Sequence, residues 1–156
     1  MQPIVNLFPF PTDDVLSNKR TKYIAEHFPE VAYGGKVPGP CVLIQLRMVP
    51  TKTKGGIALP QQTRDFNEQQ TTLGIVRQVG PTAFMDKGTG EPWREGAWYK
   101  VGDLVMAQRY KGRRFAIGIP GTDDRVIFVI CEREDFVDWL VDDEFDDLEN
   151  LYDQII

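Results

Sequence analysis

A chain of 156 residues with 42% hydrophobic content and a formal net charge of −5 is sized for one domain with a core of its own. No apolar run approaches the length of a bilayer span, and the start, Met-Gln-Pro-Ile-Val-Asn, lacks the basic-then-apolar pattern of a secretory signal, so a cytoplasmic protein without a membrane segment is expected. The acidity is local: residues 132–156 hold eleven acids and one base, whereas residues 1–131 hold twelve acids and seventeen bases, a body charge of +5 that is too diffuse to argue for nucleic acid.

Residues 1–11 carry Pro3, Pro9 and Pro11 among apolar residues and read as an extended arm. Thr12 can cap a helix that begins at Asp13 and Asp14, whose charges suit a helix N-terminus. Leu16, Tyr23, Ile24, His27 and Phe28 fall near one face and Pro29 stops the pattern, so a helix is predicted at about 13–27. His27 is the only histidine; with no Ser or Cys nucleophile in a recognisable motif beside it, it reads as a packing or surface residue. Residues 33–40, Tyr-Gly-Gly-Lys-Val-Pro-Gly-Pro, are turn and linker chemistry and mark the end of an N-terminal extension, 1–40.

From Cys41 the signals are strands. Val42–Val49 is a dense apolar run that leads into Thr-Lys-Thr-Lys-Gly-Gly-Ile-Ala-Leu-Pro, residues 51–60. Paired glycines widen φ/ψ space, so a mobile loop is expected over about 50–71, extended by the polar, Gln-rich stretch 61–71. Ile57, Ala58 and Leu59 have nothing local to bury them: either they tuck back under the strands or another protein takes them. Leu73–Val79 is a second strand closed by Gly80-Pro81, and further strands follow at Val101–Met106, Phe115–Ile119 and Val126–Cys131. Residues 81–100, with Phe84, Trp93, Trp98 and Tyr99 among glycines and prolines, are too long for a tight turn and read as a projecting hairpin. Short strands at this spacing predict a small all-β barrel or sandwich. After it, Val141, Phe145, Leu148, Tyr152 and Ile155 share one helical stripe, which predicts an acidic amphipathic helix at about 142–154.

Chemistry is hard to find. There is no P-loop, and Gly88-Thr-Gly90 is too short to indicate a dinucleotide site. Cys41, Cys131 and His27 lack zinc-ligand spacing, and each cysteine sits in or beside an apolar run where a small buried hydrophobe is the default. Arg109, Tyr110, Lys111, Arg113 and Arg114 form a basic, aromatic cluster that could meet a nucleic acid strand, although a solvated turn is the more ordinary account. No enzyme and no cofactor are expected.

Taken together, the motifs over 42–140 resemble the GroES co-chaperonins. Val42-Leu-Ile followed by Gly55-Gly56-Ile57-Ala58-Leu59-Pro60 looks like the first strand and mobile loop of that family. Leu73-Gly-Ile-Val-Arg-Gln-Val-Gly-Pro81 is similar to its second strand, Val101-Gly-Asp-Leu-Val to its Val-Gly-Asp motif, and Tyr110-Lys-Gly112 to the turn after it. Val126–Cys131 with Glu132–Phe136 resembles the last strand and its Glu-Asp turn. The resemblance implies an irregular GroES-like β-barrel (41–140) with an N-terminal helical extension and an acidic C-terminal helix (141–156). It implies a homo-oligomer, a heptameric ring, capping a GroEL-like chaperonin ring around folding clients. Gly55, Gly56, Ile57, Ala58 and Leu59 would be the chaperonin-binding residues, and 81–100 the roof hairpin. Cys41 and Cys131 would approach each other across a subunit interface. Ala58 stands where a larger branched residue is usual. The two extensions lie outside the usual compact form and resemble enlarged, phage-encoded members, which would place the protein in a host cytoplasm. The alternative is a GroES-like barrel reused as a structural or adaptor protein in an assembly.

Overall fold

The apolar runs become one antiparallel sheet. The computed structural model of the chain describes residues 13–48, 58, 60, 62, 71–109, 111–145, 147 and 148, with the backbone alone for 13–18. Helix α1 spans Asp13–His27, and the strands are β1 (Val42–Leu46), β2 (Leu73–Val79), β3 (Leu104–Ala107), β4 (Arg113–Gly118), β5 (Arg125–Cys131) and β6 (Val137–Leu140). The sheet order is β4-β5-β1-β2-β3-β6, with β1 at its centre paired antiparallel to both β2 and β5. Among the described residues the fold is therefore all-β with one α-helix. The expected barrel is an open sheet here, because edge strands β4 and β6 do not meet.

Strand bounds depart from the sequence reading where turn chemistry intervenes. β1 stops at Leu46 rather than Val49, and β3 starts at Leu104 rather than Val101. Gly102 takes φ +96 in a turn closed by Asp103, whose Oδ2 accepts the Lys100 amide at 3.0 Å. The turn's Gly102 amide donates to Val76 O at 2.8 Å, so the Val-Gly-Asp motif ends a connection and docks it on β2. Strand β6 was not anticipated; four residues, one of them Asp138, give too short an alternation beside an acidic tail.

All five residues of β1 are buried, which requires cover on both faces. On one face, Val42, Ile44, Leu46, Val76, Val105, Ala107, Val129 and Cys131 pack against Ala83, Phe84 and Tyr99 from the 81–100 segment. On the other, Tyr23 and Phe28 join Leu73, Ile75, Leu104, Val141 and Leu148, and beside them Leu43, Val126 and Phe128 are covered by Val31, Tyr33 and Val37. The turn-and-linker segment 33–40 is irregular as expected, yet it lies along the sheet as a strap.

Two expectations need correction. The acidic helix does not begin at 142: residues 142–145 form a turn in which Asp142 Oδ1 accepts the Glu144 amide and Asp142 O accepts the Phe145 amide, both at 3.0 Å. The aspartate side chain competes for backbone donors that a helix would otherwise use. Residues 146 and 149–156 of that predicted helix lie outside the described residues. Cys41 and Cys131 are neighbours within one chain, since Val42 faces Cys131 across β1 and β5, and both thiols are free. Burial among apolar side chains pushes the Cys131 thiol up to about 12.

Candidate functional site

The segment expected to contact a partner leaves the sheet between β1 and β2, two strands that are direct neighbours, so its ends are held together at one place. Of the five residues singled out, Ala58 is described and exposed, as is Pro60. Gly55, Gly56, Ile57 and Leu59 lie outside the described residues.

The base of the segment is bonded on both sides. Outgoing, the Arg47 amide donates to Leu73 O at 2.9 Å, the rung after the end of β1. The Met48 amide then turns away from the sheet and donates to His27 O at 3.1 Å, while Arg47 Nη1 donates to the Tyr23 hydroxyl at 3.4 Å. Returning, Thr71 and Thr72 are buried; Arg114 Nη2 donates to Thr71 O at 2.9 Å and the Ala107 amide to Thr72 O at 3.0 Å. Sequence reading missed Tyr23 and Thr71 as parts of this base and placed Arg114 in a basic cluster. No local signal could have found them, because each acts through a contact with a residue distant in sequence.

Two members of the basic cluster are engaged within the chain. Arg114 turns to the segment base, and Lys111 Nζ lies 5.6 Å over the Phe136 ring. Tyr110 lies outside the described residues. Gly112 makes the preceding turn possible: at φ +80, an added Cβ would meet Ile130 O at 2.7 Å. His27 packs its ring 4.4 Å from that of Tyr23, a packing residue as expected.

The 81–100 segment is aromatic at its root. Phe84 is buried and sits at φ +59, a conformation that costs a non-glycine residue about 1–2 kcal/mol. Its ring offsets that cost by edge-on contacts with Tyr99 at 4.9 Å and Trp93 at 5.5 Å. The Tyr99 hydroxyl donates to Glu134 O at 2.7 Å, tying the segment to the turn before β6. Above this root, Met85 and Pro92 form an antiparallel bridge. At the tip, the Thr89 and Gly88 amides donate to Asp86 and hold its carboxyl below the usual range. Among the described residues no group of three or more His, Cys, Asp or Glu side chains could hold a metal ion. No described helix is long and apolar enough to cross a membrane.

A family model described as the chaperonin 10 kDa subunit matches residues 39–137. The chain is also 33% identical over 76 residues to a protein named 10 kDa heat shock protein, mitochondrial, from Oryzias latipes, an overlap of 49% of this chain and 69% of that protein. The family match runs from the turn before β1 to the first residue of β6. It includes both ends of the candidate segment and the 81–100 segment, and leaves α1 and most of the strap outside.

Proposed function

Because this chain belongs to the Cpn10 family of chaperonin 10 kDa subunits, and is therefore a co-chaperonin and not an enzyme, we propose that it acts as a ring-shaped lid that binds a GroEL-like chaperonin through a mobile loop. Members of this family are non-enzymatic regulators of chaperonin activity. The contact residues in this reading are Ile57, Ala58 and Leu59, with Gly55 and Gly56 supplying backbone freedom. The observation that carries it is the base: one long segment, polar at its ends and apolar at its centre, departs from two adjacent strands and returns to the same place. The exposure of Ala58 and Pro60 is consistent with a surface offered to a partner.

Burial of Ile57 and Leu59 in a partner would gain about 3–6 kcal/mol together. Ordering a free segment consumes about 2–5 kcal/mol of such a gain, so a single loop binds weakly. A ring that presents several loops binds through effective concentration and still releases when the chaperonin changes state. We take the ring to be a heptamer enclosing folding clients beneath the 81–100 segment. Among the described residues the sheet ends at β4 and β6, and β6 exposes Trp139 and Leu140 at its rim, which supports self-association. A cytoplasmic location and a phage origin are carried from the resemblance of the enlarged form. The relative named above is mitochondrial.

The test is co-sedimentation with a purified bacterial chaperonin, with and without ATP, comparing the wild type with Ile57→Asp. ATP-dependent binding that the variant loses is the expected result, because burial of an unpaired carboxylate is costly. Binding that survives the substitution moves the contact elsewhere on the chain. A well-formed oligomer that binds in neither form overturns the lid.

A further inference from the structure

We infer that the C-terminal end of α1 is a positioning clamp for the chaperonin-contacting loop, with Tyr23 and the His27 carbonyl fixing where the loop leaves the fold. The inference rests on the reading of residues 55–59 as the contact.

The argument begins with what a helix end lacks. The last carbonyls of a helix have no partner inside it, and Pro29 prevents α1 from supplying more amides. The Phe28 amide takes Ile24 O at 2.8 Å. The His27 carbonyl is taken by Met48, an amide of the outgoing loop arm, at 3.1 Å. One turn earlier, Tyr23 is 4% exposed and presents its hydroxyl to the Arg47 guanidinium at 3.4 Å. Residues i and i+4 share a helix face, so Tyr23 and His27 form one surface against Arg47 and Met48.

That surface is itself anchored to the sheet. Phe28 is 1% exposed, and its carbonyl accepts from Arg77 Nη2 at 3.1 Å. Arg77 Nε donates to Gln45 Oε1 at 2.8 Å, and Gln45 Nε2 donates to Pro29 O at 2.7 Å. Hydrogen bonds from β1 and β2 thus grip the chain at the two residues after the helix. The loop base inherits this anchoring. The sheet ladder holds the outgoing arm at Arg47, and α1 holds the next residue, Met48. The returning arm is held without α1, by Arg114 and by β3. The extension, which lies outside the family match, therefore acts on the outgoing arm of the loop.

A loop held closer to its bound direction loses less freedom on binding. A per-loop gain of about two- to threefold is enough, because several loops engage together and their gains multiply.

The test is a double-mutant cycle on chaperonin affinity with the full chain: Tyr23→Phe, Arg47→Met and the pair, beside Ile57→Asp. Tyr23→Phe removes only the hydroxyl, so thermal unfolding should stay unchanged while the assembled protein loses about tenfold or more in affinity. The double variant should lose little beyond either single one, and Arg47→Lys should restore part of the loss. In the uncomplexed wild type, the Met48 amide should be protected from hydrogen exchange, and Phe28→Ala should remove that protection. Additive single effects, an unaltered affinity in Tyr23→Phe, or an unprotected Met48 amide overturns the clamp while leaving the loop contact intact. If Ile57→Asp binds like the wild type, the contact reading fails, and the clamp's role fails with it.

Discussion

The two faces of the sheet are closed by different means. One is covered from within the family-matched stretch, by Phe84, Tyr99 and their aromatic neighbours, almost entirely through apolar contact. The other is covered by α1, the strap and the residues after β6, and there polar side chains of the strands reach out to the covering backbone. Gln45 binds Pro29 O, Arg77 binds Phe28 O, and Gln78 holds the strap through the Val37 amide at 2.8 Å and Gly35 O at 2.9 Å. Apolar contact stabilises without direction, whereas these bonds fix where the chain runs after α1 and along the strap. Gln45, 1% exposed in the central strand, would leave its buried amide nitrogen without an acceptor if Pro29 O were withdrawn. The strands of the matched domain are therefore committed to the extension.

That equivalence can be broken most sharply with two phenylalanines. Phe84→Ala on the first face and Phe28→Ala on the second should each cost about 3–5 kcal/mol in urea unfolding, because both rings are buried. If the extension were an appendage, Phe28→Ala would cost well under 1 kcal/mol and leave the main transition unmoved. Next in size is the polar latch. Arg77→Met keeps the stem, removes two hydrogen bonds and strands Gln45 Oε1 and Phe28 O, for a loss of about 1–3 kcal/mol. The pair Arg77→Met with Gln45→Met should recover part of that loss. Losses that simply add in the double variant would mean that Arg77 and Gln45 are not coupled as a latch.

These contacts also mark what the sequence could reveal. The helix at 13–27, the strands at 73–79 and 126–131 and the motif turns were legible because their signals are local: capping, alternation, and glycines where φ is positive. The order of motifs was enough to identify the family. The strap was not legible, because Tyr-Gly-Gly-Lys-Val-Pro-Gly-Pro has linker composition wherever it lies, and its binding shows only in contacts with distant residues, among them Gln78 and the apolar cluster around Phe128. Gln45 was the missed clue: a polar residue inside an apolar run asks for a partner. β6 and the turn at 142–145 were misread because an acidic stretch with apolar residues at helical spacing also fits a short strand followed by a capped turn.

The smallest expected effect separates the faces by pH. On the apolar face, burial first, and then the nearby acidic groups, push the Tyr99 hydroxyl up, and burial raises the Cys131 thiol from 9.0 to about 12. Both groups hold their protons more tightly when folded. The unfolded chain thus binds fewer protons above pH 9, and stability falls as pH rises from there toward 12. Cys131 alone should account for a loss on the order of 1 kcal/mol between pH 8 and pH 10. Well below pH 8 its proton is bound in both states and it contributes no pH dependence. The latch on the other face rests on an arginine, which does not titrate in this range, and on neutral amides. Urea unfolding of Cys131→Ala should start lower at pH 8, because a small cavity is left, and then fall less steeply toward pH 10 than the wild type. Arg77→Met should shift the whole curve down without changing its slope. Equal slopes for the wild type and Cys131→Ala would show that the thiol is not what loosens this face, leaving Tyr99 to carry the alkaline loss.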